Sequence, residues 1–244
     1  MATRNFQPVV KPTEITKRLA RVGRPLMWID LTQPFHADVP HSASLPAPTV
    51  ETLSDVESDG VNAQWFCSPT HVGTHVDAPR HFVADGRTID ELPLDQFTGR
   101  ATVIDVQRSE PERIPLSEIE ASADTAALEA ADIVGFYTGW DDRYDDPSYH
   151  HYPWFDAAVA DWLLDYDVKL VCSDTPSPDR PREMRPDDWD AYPIHRRLLG
   201  ADVLIAEHLR NLDELIGRDA RVYGFPLKLR DGDGAPARFV AHVD

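Results

Sequence analysis

The sequence predicts a strand-rich α/β fold in one domain. Short runs of β-branched and aromatic residues alternate with stretches of helical period along the whole chain. Strands outnumber helices, and the two are mixed rather than segregated. The 244 residues carry no fixed-period repeat and no long linker, a length that suits one large domain burying its own core.

The elements follow in order. Residues 1–25 are polar and basic and read as a loose arm or subunit-contact segment, which leaves 26–244 as the domain. Leu-Met-Trp-Ile-Asp-Leu at 26–31 reads as a strand, whereas 33–60, rich in Pro, His, Ser and Asp, reads mostly as loop. Strands are expected over 62–68, 70–77 and 101–106, short helices within 115–130, and a buried strand at Ile133–Tyr137 before Thr138-Gly139. Asp141–Pro153 is an acidic, aromatic loop holding His150 and His151. Val159, Trp162 and Leu163 stand at i, i+3, i+4 spacing, so 155–164 is helical. Val168–Cys172 is a strand. Ala191–Leu199 is a short helix with Pro193 near its start and Gly200 at its end. Val203–Ala206 is a strand running into Glu207, and 222–229 with 237–243 form a closing hairpin around Asp231-Gly-Asp-Gly234.

Charge excludes some functions. The net charge is −18, from 42 acidic and 24 basic residues. Nucleic acid needs a basic footprint, and an anionic membrane surface attracts the same sign of charge. No apolar run approaches the roughly 20 residues of a membrane span, and no apolar signal core follows the first residues. The two cysteines, Cys67 and Cys172, both fall in expected strands, where free cysteine behaves as a small buried apolar group; a reduced, cytoplasmic protein is the expectation.

The chemistry concentrates in His71-Val-Gly-Thr-His-Val-Asp-Ala-Pro-Arg-His81-Phe82. In an extended strand, His71, His75 and Asp77 share one face, with Gly73 giving close backbone access between them. Val72, Thr74 and Val76 point the other way, Pro79 stops the ladder, and His81 follows on the turn. Imidazoles and a carboxylate on one face suit a first-row divalent metal with coordination positions left open. Burying so many polar groups without a metal would leave donors and acceptors unpaired.

This motif, His-x-Gly-Thr-His-x-Asp-x-Pro-x-His-Phe, resembles the signature of the cyclase family of metal-dependent hydrolases, which includes bacterial kynurenine formamidases and isatin hydrolases. Weaker similarity covers most of the chain: Trp28-Ile-Asp-Leu31, Thr138-Gly139-Trp140, Asp174-Thr-Pro-Ser-Pro-Asp179, Glu207 to Leu215 and Phe225-Pro-Leu-Lys228. The resemblance implies a swivelling β/β/α domain and a homodimer or homotetramer. It also implies that Asp77 bridges two metals, that His195 and Glu207 complete the second site, and that His81 is catalytic rather than a permanent ligand. On the residues alone, His195 is equally a helix-end histidine near the C-terminal dipole, and Glu207 a solvated residue after a strand. Histidine and carboxylate ligands suit zinc, manganese, iron or cobalt; zinc or manganese, in two copies per chain as the resemblance implies, is the cofactor expected.

The expected reaction is hydrolysis of a C–N amide bond of a small molecule by metal-activated water, with His81 shuttling the proton. The resemblance points to N-formylkynurenine, with a cyclic amide such as isatin or a dehydratase/cyclase reaction as alternatives. No Gly-x-Ser-x-Gly elbow supports a serine hydrolase. His208 is expected to point away from Glu207 along the strand. Asp174 to Asp179 read as a turn held by side-chain capping. Trp65, Phe66, Phe82, Trp140 and Trp154 could wall an aromatic pocket, although core packing explains them as well.

Overall fold

A computed structural model describes residues 27–187 and 191–243. The expected arm over 1–25 lies outside them. The strands are β1 (Met27–Asp30), β2 (Thr49–Ser54), β3 (Ala63–Cys67), β4 (His75–Asp77), β5 (Thr98–Asp105), β6 (Arg113–Ile114), β7 (Ile133–Tyr137), β8 (Trp154–Phe155), β9 (Leu170–Ser173), β10 (Leu204–Glu207), β11 (Ala220–Pro226) and β12 (Gly234–Val243). The helices are α1 (Val56–Asp59), α2 (Leu116–Ser122), α3 (Thr125–Glu129), α4 (Ala158–Leu163) and α5 (Pro193–Gly200).

The main sheet runs β1-β12-β11-β5-β7-β9-β10-β4, and β4 pairs back onto β12. Strands β12 to β4 therefore close on themselves, with β1 added on the flank of β12. β5, β7, β9 and β10 pair in parallel, while β4, β11, β12 and β1 pair antiparallel. Parallel neighbours need a crossover, and helices α2 to α5 supply it.

Strand alternation sorts the core into two sides. Ile133, Leu170, Cys172, Leu204, Ala206, Val76, Ala235 and Phe239 pack together on the side that the ring encloses. Val134, Phe136, Val171 and Ile205 face the other way and pack against Ile119, Leu128, Val159, Leu163, Ile194 and Leu198 of the helices. Burial on both faces explains why β7, β9 and β10 read as continuous apolar runs. Since Val76 and Ala206 face the enclosed side, their neighbours His75, Asp77 and Glu207 face outward, beneath α5.

One local expectation is refined and two are corrected. The stretch 33–60 is mostly loop, as expected, but Thr49–Ser54 pairs with β3 as a separate hairpin and a short helix, α1, follows. The strand expected over 70–77 is regular only at His75–Asp77. Cys67 is exposed on β3 and only Cys172 is buried; both are free thiols.

Candidate metal centre

Two devices bring the histidines and the aspartate together. His75 and Asp77 do so by strand parity, as the alternation argument requires. His71 does not: Gly73 has φ +66°, and the chain bends there instead of running straight. Side-chain contacts hold the bend. The Thr74 hydroxyl donates to the His208 carbonyl (2.7 Å) and accepts from the Gln33 amide (2.9 Å). Gly234 fits beneath His71 because it lacks a side chain; a Cβ there would sit 2.6 Å from His71 Cε1.

The distant residues arrive through sheet register and a helix. Glu207 lies directly opposite His75 in the β10–β4 pairing, so both side chains leave the same face. His195 descends from the first turn of α5. The result is two adjoining groups. Asp77 Oδ1 is 2.7 Å from His71 Nδ1 and 3.3 Å from His75 Nε2. Asp77 Oδ2 is 3.3 Å from His195 Nε2, which is 3.1 Å from Glu207 Oε1. Glu207 Oε2 closes the arrangement 3.4 Å from His75 Nε2. One carboxylate thus serves a His71–His75 group with one oxygen and a His195–Glu207 group with the other; two further groupings, the more open His71–His81–Asp233 and the buried His75–Glu207–His208, overlap them.

His75 Nδ1 donates to the Gly73 carbonyl (2.7 Å) and His195 Nδ1 to Asp179 Oδ2 (2.7 Å), each turning Nε2 inward. His71 lies between two carboxylates, Nε2 3.0 Å from Asp233 Oδ2 and Nδ1 2.7 Å from Asp77 Oδ1. Such outer acceptors fix the tautomer and the ring orientation of a metal-binding imidazole. Asp179 also accepts from the amides of Ile194 and His195, both at 3.1 Å, and so caps α5 while holding its histidine.

The expectation that 174–179 is only a capped turn is corrected by that contact. Asp174 does cap, taking the Thr138 amide and hydroxyl and the Trp140 amide. Neither Asp179 nor Asp233 was legible as a partner, because both contacts cross more than a dozen residues. The carboxylate–histidine logic says only that such partners must exist.

Electrostatics follow the crowding. Burial disfavours the imidazolium of His71, but Asp77 and Asp233 outweigh it and push its pKa up to about 10. His195 is likewise raised, burial being overcome by Asp179, Asp77 and Glu207. Burial works against the charge on Asp77 too, yet His71, His195 and His75 hold its carboxyl well below the usual range. The pocket is built to hold positive charge.

The residues fit a divalent cation by one further observation. His75 Nε2, Asp77 Oδ2 and Glu207 Oε1 are buried and make no well-formed hydrogen bond, only contacts of 3.1–3.4 Å within the cluster. An unpaired buried polar atom costs about 1–3 kcal/mol, and three in one cluster form a ready donor set of imidazole and carboxylate.

His81 sits at the rim on a 3-10 turn, Pro79–His81, its ring stacked on His71 with centroids 3.8 Å apart. Its side chain is more open than the inner histidines, 28% exposed against 1% for His75. Of the aromatic residues expected at a pocket, Phe82 is at the site, 4.8 Å from the His195 ring and 5.1 Å from Tyr192. Trp140 is fully buried among Tyr144, Tyr149 and Tyr152, while Trp65 and Phe66 are exposed on β3. His208 does not point away from Glu207: ligand atoms of His75, Glu207 and His208 lie within 4.8 Å of one another. A φ of +59° ends the strand and buries its ring 5.8 Å from His75, with Nδ1 3.0 Å from Tyr149 Oη.

The Cyclase family model matches residues 29–180. The kynurenine formamidase of Geobacillus thermodenitrificans is 32% identical over 213 residues, covering 86% of this chain and 95% of its own. Isatin hydrolase A from Ralstonia solanacearum shares the fold, with a TM-score of 0.81, 24% identity and full coverage of both chains. The predicted metal-dependent hydrolase from Bacillus stearothermophilus matches with a TM-score of 0.69 and 26% identity, over 89% of this chain and 98% of that one. The chain belongs to the cyclase family of metal-dependent hydrolases.

Proposed function

We propose that the chain hydrolyses the amide C–N bond of N-formylkynurenine or a close aryl formamide, releasing formate and the aryl amine. The observation that carries this reading is the buried imidazole–carboxylate donor set, three of whose atoms make no well-formed hydrogen bond, beside a more open histidine. The similarity to kynurenine formamidase over most of the chain supports the substrate class.

His71, His75 and Asp77 Oδ1 would hold one cation, and Asp77 Oδ2, His195 and Glu207 a second, so two zinc or manganese ions per chain are proposed. When bound, such ions lower the pKa of water and polarise a carbonyl oxygen. The remaining work belongs to side chains. His81 takes the proton of the attacking water at a ring nitrogen and returns it to the leaving nitrogen, as acid–base histidines do. Phe82 and Tyr192 give an apolar wall that suits an aryl ring and keeps water from the reacting centre.

We also propose a homo-oligomer, a dimer or tetramer. The β2–β3 hairpin stands apart from the main sheet with Leu53, Val61, Trp65 and Phe66 exposed, and a two-stranded ribbon is marginal alone. Two free thiols, one of them exposed, fit a reducing cytoplasm. Among the described residues, no helix is long and apolar enough to cross a membrane.

The test is turnover by purified protein loaded with zinc or manganese. N-formylkynurenine should be hydrolysed far faster than isatin, and chelation should abolish the rate. Isatin turned over faster, or neither substrate turned over with both metals supplied, would overturn the reading.

A further inference from the structure

The hairpin that closes the sheet carries a carboxylate at the mouth of the site. Asp233 lies at the end of the β11–β12 turn, one residue before Gly234, which pairs with Asp77. Its Oδ1 accepts from the Thr70 hydroxyl at 3.0 Å. Its Oδ2 accepts from His71 Nε2 at 3.0 Å and lies 3.5 Å from His81 Nδ1. The backbone fixes this position: the Ala78 amide donates to the Asp233 carbonyl (2.9 Å), and the Ile89 amide to that of Gly232 (2.8 Å).

We propose that Asp233 is a positioning residue shared by an inner ligand and the acid–base group, locking His71 with Nδ1 inward and holding His81 against it. The proposal rests on the metal-hydrolase reading above. His71 can offer Nδ1 to a cation only if its proton sits on Nε2, and a carboxylate at Nε2 enforces that tautomer. His81 has no strand to hold it; its ring is held by the His71 stack, an edge contact with Phe82 (4.6 Å) and the approach to the same carboxylate oxygen, its one charged partner among the described residues. Thr70 fixes the plane of the carboxylate by engaging the other oxygen. A residue distant in sequence therefore sets the orientation of two histidines of the motif.

The experiment compares Asp233→Asn with Asp231→Asn, which makes the same charge change on the same turn away from the histidines. Zinc affinity is read by chelator competition, and the His71 tautomer by two-bond 1H–15N correlation on 15N-labelled, zinc-loaded protein. The native protein should show the His71 proton on Nε2. Asp233→Asn should weaken zinc binding about 10–100-fold, lose the uniform Nε2–H signature and lower turnover at saturating zinc. Asp231→Asn should match the native protein in all three. Native-like zinc affinity and an unchanged His71 tautomer in Asp233→Asn would overturn this inference alone. Failure of the native protein to take up zinc would overturn the metal reading beneath it.

Discussion

Glu207 and His75 face each other across antiparallel strands β10 and β4, with Glu207 Oε2 3.4 Å from His75 Nε2. Register alone brings a glutamate more than a hundred residues away onto the face of the His75–Asp77 strand. Its other oxygen serves the His195 group, so this residue separates a one-ion centre from a two-ion centre. Glu207→Gln keeps size and hydrogen bonding but removes charge, and a neutral amide is a poorer ligand for hard divalent ions. Metal analysis should show stoichiometry falling from two towards one, with a loss of activity. One ion per native chain, unchanged in Glu207→Gln along with the rate, contradicts the two-ion arrangement.

His81→Ala should keep its metal and lose turnover by about 10²–10⁴-fold, as for a lost acid–base group. The ring stacks on His71 in the more open grouping with Asp233, outside the buried set of His75, Asp77, His195 and Glu207. Metal content and rate measured on one preparation decide the matter. Metal lost in proportion to rate would make His81 a ligand.

Asp179→Ala removes the acceptor for His195 Nδ1 and the cap on two amides of α5. Metal affinity should fall about 10–100-fold, and stability by roughly 0.5–2 kcal/mol, as for a lost helix cap. Chelator competition and urea unfolding of the metal-free protein separate the two effects. Unchanged affinity would mean that His195 does not depend on this partner.

Asp174 gives a pH signature away from the donor set. Despite donors from Thr138 and Trp140, burial pushes its carboxyl up to about 7. The unfolded carboxyl titrates near 4, so between about pH 4 and pH 7 the folded chain keeps a proton that the unfolded chain has lost. The stability it contributes is therefore fully present below the unfolded value and is lost as pH rises through 7, by about 1.4 kcal/mol per pH unit within that window. Asp174→Asn does not titrate. The unfolding free energy of the native chain relative to that variant should fall by roughly 2–3 kcal/mol between pH 5 and pH 7. A flat or rising difference contradicts the burial argument.

Much of this architecture was legible because its signals are local. The runs at 133–137 and 204–207 alternate between two buried sides, and Pro193 with Gly200 bounds α5. The His75–Asp77 pair follows from strand parity. What escaped depends on long-range geometry. The bend at Gly73 breaks the parity that seemed to place His71, because a positive φ leaves the strand. His208 turns inward for the same backbone reason. Asp179 and Asp233 reach their histidines across 16 and 162 residues. Hairpin β2–β3 was read partly as loop because its residues are exposed on both faces and carry no buried stripe.

The central claim is that the buried imidazole–carboxylate cluster is a divalent-cation centre that drives amide hydrolysis. The most direct test titrates zinc or manganese into chelator-stripped protein while bound metal and N-formylkynurenine turnover are followed together. Turnover should rise from zero with bound metal and saturate at two ions per chain. Full turnover in stripped protein, or saturated metal with no turnover, would contradict the account.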